Sequence, residues 1–312
     1  MKRVVVAQTA FLGDAVLGLS VVQAVQRAFP AADVRYWVRK GNESLVPGEG
    51  VFVWDKRRKK YSHFLQNLDE IRRFRPDAFL NLQRFFSTGL MAVMSGAKIR
   101  AGFDKNPWSS LFTHRVPHVV DGRHEIERNA ELLKALGIGE WSRPRVRVEE
   151  PGVDGQYVVL APASVWATKA WAHWPELAKM LAEKIKVCVV GAPAERDACS
   201  RVAGDWAVNL AGELRLPEVA GLMKNAVRVF ANDSAPLHIA GSVNAPVTAM
   251  FCSTVPRFGF GPLSDDAIIL EKHGLDCRPC GLHGKKSCPK GHFRCGLEID
   301  APTAAATLPL FS

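Results

Sequence analysis

The chain is predicted to fold as two α/β domains, each a parallel sheet with crossover helices. Three observations carry this. Short apolar runs alternate with helical stretches along the whole chain, which is the pattern of βαβ units. The length, 312 residues with 47% hydrophobic, exceeds one core and suits two domains of about 150 residues each. Polar and small residues crowd the points where apolar strands run into helices, where open α/β sheets hold ligands.

Taken in order, Val4 to Ala7 is a strand and Gln8-Thr9-Ala10-Phe11-Leu12-Gly13-Asp14 leads into a helix reaching Phe29. Gly13 is expected to permit a tight turn and Asp14 to begin the helix. Strands follow at Val34 to Val38 and Val51 to Trp54, then a helix around Phe64 to Phe74, a strand at Ala78 to Leu82 and a helix from Ser87. Ile99 to Phe103 adds a strand, and His124 to Leu136 reads as a helix stopped by Gly137. Ile138 to Gln156, rich in proline, glycine and mixed charge, is the expected connection, giving domains 1–150 and 151–312.

The second half opens with the buried strand Tyr157-Val158-Val159-Leu160-Ala161-Pro162-Ala163-Ser164, whose carboxyl end and following loop carry Ser164, Thr168 and Lys169, and a helix opens at His173-Trp174-Pro175-Glu176. Further strands are expected at Lys186 to Gly191, Val208 to Ala211, Arg228 to Ala231, Pro246 to Phe251 and Ala267 to Leu270. The strand Val227 to Ala231 runs into Asn232-Asp233-Ser234-Ala235-Pro236-Leu237-His238. Ser234 is a natural N-cap and Pro236 suits the first turn. The amides of Ser234, Ala235 and Leu237, with the helix dipole, favour an anion there. A purely structural cap is the competing reading.

The net charge of +10 is uneven. Lys56, Arg57, Arg58, Lys59 and Lys60 form one run. A solvated loop is one reading, attraction to an anionic membrane face or phosphorylated lipid another. Nucleic acid is disfavoured because no aromatic stacking pattern or known motif accompanies the charge. No stretch of about 20 uncharged apolar residues is present, and the N-terminus enters a strand rather than a signal peptide, so a cytoplasmic protein is expected. A G-x-G-x-x-G fingerprint is absent after the first strand, which lowers a dinucleotide reading.

Cys277, Cys280, Cys288 and Cys295, with His292, fall within nineteen residues. This spacing suits a structural zinc or an iron–sulfur cluster. Cys188, Cys199 and Cys252 sit in apolar contexts and read as core.

Gly13-Asp14 after the first strand, Lys169 to Pro175, Asn232 to His238 and Met250 to Pro256 together resemble glycosyltransferase family 9, the bacterial lipopolysaccharide heptosyltransferases. The resemblance runs in order from residue 3 to about residue 299. It implies a GT-B-type fold, two Rossmann-like domains whose parallel sheets face across a cleft, the first receiving acceptor and the second binding donor. It implies inverting, metal-independent transfer of heptose from ADP-heptose to a lipopolysaccharide core acceptor at the inner-membrane surface. No Asp-x-Asp motif is present, in keeping with that chemistry. Asp14 is then the candidate base, with a helix-capping role as the alternative. Lys169 would neutralise the leaving diphosphate, with hydroxyls from Ser164 and Thr168. Asp233 would hold sugar hydroxyls or fix Lys169 or His238. His238 is either a site group or a buried histidine. Gly13 and the basic run Lys56 to Lys60 are acceptor-side candidates. Ala235 replaces the family's glycine, and the tail after Cys295 is short for a helix crossing back to the first domain. Two other readings stay open, a nucleotide-sugar epimerase and a basic nucleic-acid-binding protein with a metal-stabilised Cys knob.

Overall fold

The computed structural model describes residues 1–48 and 50–310. They divide into a unit ending at Arg147 and a unit beginning at Val148, inside the stretch expected to connect the halves.

The first unit runs β1 (Arg3–Gln8), α1 (Leu12–Ala28), β2 (Asp33–Arg39), β3 (Val51–Trp54), α2 (Lys60–Phe74), β4 (Ala78–Asn81), α3 (Phe86–Met94), β5 (Ile99–Phe103), β6 (His114–Val116) and α4 (Glu125–Ala130). Its sheet is ordered β3-β2-β1-β4-β5-β6 with every pairing parallel. The second runs β7 (Tyr157–Ala161), α5 (Trp174–Ala182), β8 (Lys186–Val189), α6 (Arg196–Ala203), β9 (Val208–Asn209), α7 (Leu216–Asn225), β10 (Arg228–Asn232), α8 (Ala235–Ser242), β11 (Val247–Phe251), β12 (Ala267–Glu271), α9 (Arg294–Leu297) and α10 (Ala301–Ala305). Its sheet, β12-β11-β10-β7-β8-β9, is again all parallel and has the same winding. The order reverses between β1 and β4 in one unit and between β7 and β10 in the other. Rossmann-like sheets bind ligands at the carboxyl ends of that pair of strands.

The central strands are near-continuous apolar runs because helices cover both faces of a parallel sheet. Val4, Val5, Val6 and Ala7 in β1 are fully buried, as are Tyr157 to Ala161 in β7 within a percent. Trp37 and Trp54 stack in the first core, with ring centroids 5.3 Å apart. In the second, Phe230 packs with Leu177, Leu181, Trp171 and Trp174.

Three local expectations change. Asp14 is the third residue of α1, whose N-cap is Phe11, and Gly13 is buried inside that helix rather than in a turn. The helix expected over 124–136 is α4 followed by a 3-10 stretch, Glu131–Leu136. β6 was not anticipated, because its three residues, His-Arg-Val, have no apolar pattern. The tail, read from sequence as short for a crossing helix, packs within its own unit: Ile299, Ala301, Ala304, Ala305 and Leu308 join the core of the second unit. The Trp171 indole donates to Ile299 O at 2.7 Å, and Lys184 Nζ to Leu310 O at 2.6 Å. The last two residues of the tail lie outside the described residues.

Candidate active site

In the second unit the switch-point loops after β7 and β10 are tied together by one side chain. Asn232, fully buried, donates from Nδ2 to Pro162 O at 2.7 Å and accepts the Trp171 amide on Oδ1 at 3.0 Å. These bonds place the short 3-10 helix Ala167–Lys169 over the start of α8. Lys169 Nζ reaches Asp233 Oδ2 at 2.7 Å, with side chains 14% and 8% exposed. The same carboxylate oxygen accepts the Thr254 hydroxyl at 2.6 Å. Asp233 thus pairs with the ammonium.

Ser234 stands at the α8 N-cap, but its side chain makes no capping bond and points instead toward Asn232 O at 3.4 Å. Leu237 is no donor to a ligand, since its amide bonds Ser234 O at 3.1 Å. Ser234 and Ala235, both half-buried, remain at the helix opening. Ser164 accepts the Trp166 amide at 3.3 Å, shaping the loop after β7. His238 lies one turn into α8, 5% exposed and tilted against Phe260 with centroids 6.1 Å apart. Thr168 is 3% exposed, and its hydroxyl oxygen accepts from Ser253 Oγ at 3.0 Å and from the Lys285 amide at 2.8 Å. That oxygen is engaged with protein rather than presented to phosphate.

The Cys-bearing segment packs on this site. The Cys280 amide donates to Ser253 O at 2.9 Å. The Arg278 guanidinium, 5% exposed, is enclosed by carbonyls of Phe251, Cys252, Thr254 and Lys272 and by Glu271 at 2.6 Å. It joins the ends of β11 and β12 to the segment. Burial raises the Cys280 thiol, with Cys277 and Cys288 adding to it, and burial pushes Cys295 to about 11, helped by Cys280 and Cys288. Cys277 Sγ lies 3.8 Å from His292 Nε2. The thiols gather in one region, yet among the described residues no group of three or more His, Cys, Asp or Glu stands so as to hold a metal ion. A separate cavity of about 430 Å³ opens at the ends of β11 and β12, lined by Arg257, Glu271, His273 and Leu275 among others. None of the expected site residues lines it.

In the first unit the loops after β1 and β4 are joined in the same way. Thr9 donates from its amide and its hydroxyl to Gln83 Oε1, at 2.9 and 2.8 Å. Asp14, half-buried, sits on the first turn of α1 at this edge. Burial, then the nearby Asp14 charge, raises the Tyr36 phenol, whose hydroxyl donates to Ala15 O at 2.9 Å. Of the basic run, Lys56 turns inward. Its ammonium donates to Thr9 O at 2.6 Å and lies 4.5 Å from the Trp54 ring. Burial, with Arg39 and Lys60 close by, lowers it to about 8. Asp55, held down to about 2 by Lys40 and by the Arg57 and Arg58 amides, folds the run around itself. Arg57, Arg58, Lys59 and Lys60 are exposed.

A family model for glycosyltransferase family 9 (heptosyltransferase) matches residues 68–290, more than half of the chain. The chain belongs to glycosyltransferase family 9. It is similar to lipopolysaccharide heptosyltransferase 1 of Pseudomonas aeruginosa, 25% identical over 92% of this chain and 87% of that protein. Among solved structures it is similar to the ADP-heptose lipopolysaccharide heptosyltransferase II of E. coli, with a TM-score of 0.80 at 19% identity, covering 100% of this chain and 98% of that one. It also resembles the E. coli heptosyltransferase WaaC solved with ADP, with a TM-score of 0.77 at 18% identity over 99% and 100% of the two chains. The fold of this family 9 glycosyltransferase is thus GT-B type. Asn232, Ser253 and Arg278 carry structural work at the site that was not assigned from sequence. The first two lie inside the family motifs and Arg278 between two cysteines, but their bonds cross 61, 85 and 26 residues of chain.

Proposed function

We propose that the enzyme is an inverting, metal-independent heptosyltransferase that moves heptose from ADP-heptose to a lipopolysaccharide core acceptor. The observation that carries this is the Lys169 ammonium, oriented by Asp233 at the amino end of α8 on a sheet's switch point. An ammonium and helix amides there would neutralise a leaving nucleoside diphosphate, whose charge grows in the transition state. The second unit would bind the donor and the first the acceptor. Asp14, on the first turn of α1, would remove the acceptor hydroxyl's proton. The exposed Arg57, Arg58, Lys59 and Lys60 would meet anionic groups of the acceptor or the cytoplasmic face of the inner membrane. No helix among the described residues is long and apolar enough to cross a membrane. That the solved relatives include one described with ADP and one named for ADP-heptose supports the donor.

The test is ADP release on incubation with ADP-heptose and a heptose-deficient core acceptor. Asp14→Asn should keep donor binding and lose turnover by about a hundredfold, as removal of a general base does. Release no faster than background in the wild type would reject the donor and acceptor. A near-normal rate in the variant would return Asp14 to a structural place in α1. Donor turnover without acceptor would favour the epimerase reading.

A further inference from the structure

The segment between Cys280 and Cys288 crosses directly over the lysine expected to meet phosphate. Lys285 makes two main-chain bonds to Thr168, its amide to the hydroxyl at 2.8 Å and its carbonyl accepting the Thr168 amide at 3.1 Å. Ser253 Oγ closes the junction from the loop after β11, at 3.0 Å from Thr168 Oγ1. One residue earlier the backbone of Gly284 lies against the aliphatic stem of Lys169: a Cβ there would stand 2.9 Å from Lys169 Cγ and 3.1 Å from both Lys169 Cδ and Trp166 Cβ. A flexible lysine is thereby confined on one side by the segment and held at its head by Asp233.

We propose that residues 281–287 form a strap that positions the Lys169 ammonium for a nucleoside diphosphate, with Gly284 and Thr168 as its positioning residues. The role of Lys169 as phosphate ligand rests on the function proposed above. The strap's control of where Lys169 sits does not. An unconfined lysine samples many rotamers, and fixing it before the ligand arrives removes that ordering cost from binding. Gly284 is suited to this twice over. Its φ of +78° favours glycine, and the absence of a side chain leaves room for the lysine stem. Thr168 supplies an acceptor on a buried side chain, so the strap's anchor is not exchanged for water.

A matched glycine separates these effects. Gly291 has a similar φ of +74°, and a Cβ there meets nothing within 4 Å. Gly291→Ala therefore introduces the same backbone strain without touching Lys169. Two readouts are taken on each full-length variant: ADP affinity by calorimetry, and the rate of Lys169 acylation by an amine-reactive ester, measured by mass spectrometry against exposed Lys186. Gly284→Ala should weaken ADP by about tenfold, the equivalent of one charge-assisted contact, and should speed Lys169 labelling. Gly291→Ala should do neither. Thr168→Val should behave like Gly284→Ala, and Thr168→Ser should restore wild-type values. Equal effects from the two glycine variants, or unchanged labelling in both Gly284→Ala and Thr168→Val, would overturn the strap. Should a variant fail to fold, hydrogen exchange of the wild type decides. The Lys285 amide must be protected in the free protein, and its rapid exchange would refute the anchor. If wild-type protein ignores ADP while the labelling contrast appears, the donor reading falls and the strap stands.

Discussion

The Lys169–Asp233 pair offers a quantitative check on the site that needs no substrate. Lys169→Met would leave the Asp233 carboxylate, 8% exposed, with the Thr254 hydroxyl for partner, and Asp233→Asn would leave a lysine 14% exposed beside a neutral amide. Breaking a buried ion pair by removing one partner costs about 3–5 kcal/mol. Partial exposure of the lysine and the surviving hydroxyl bond put each single variant at the low end, about 3 kcal/mol. The double variant removes both charges and leaves neither uncompensated, so it should lose well under about 3 kcal/mol rather than the additive sum of about 6, a coupling of more than about 3 kcal/mol. Hydrogen exchange of the fully buried β7 and β10 amides reports the opening free energy of this sheet alone, without requiring the two units to unfold together. Additivity of the two single losses within about 0.5 kcal/mol would refute the claim that Asp233 holds the ammonium.

Two further outcomes follow from other parts of the chain. Lys56 is charged in the fold only below about 8, whereas an unfolded lysine holds its proton to about 10.4, so between these values the unfolded chain binds more protons and stability should rise with pH. Lys56→Met should flatten that rise in denaturant titrations, and an identical slope in both proteins would show that Lys56 is not the group responsible. For the cysteine segment, the zinc expected from its spacing would appear as about one metal per chain in protein purified under reducing conditions, and Cys277→Ser should lower both metal content and stability. Elemental analysis finding neither zinc nor iron would leave the thiols as packing groups behind the strap.

The alternation of apolar runs and helices was enough to set out eleven of the twelve strands among the described residues, most of them near their observed bounds, because buried parallel strands need uninterrupted Val, Ile, Leu, Ala and Phe. β9 was placed but is two residues long, and β6, an edge strand of His114–Val116, has no pattern to read. The junction residues Asp14, Lys169 and Asp233 could be singled out from sequence because they stand where an apolar strand runs into a helix, although helix caps put polar side chains at such points too. What those side chains touch was not legible. Whether Lys56 lies in solvent or under Thr9, whether Thr168 faces ligand or Lys285, and whether the tail leaves or completes the second core are decided by contacts between residues far apart in the chain. Local propensity carries no information on such pairings. Tertiary packing selects them, through the cost of leaving a buried hydroxyl, ammonium or carbonyl without its partner.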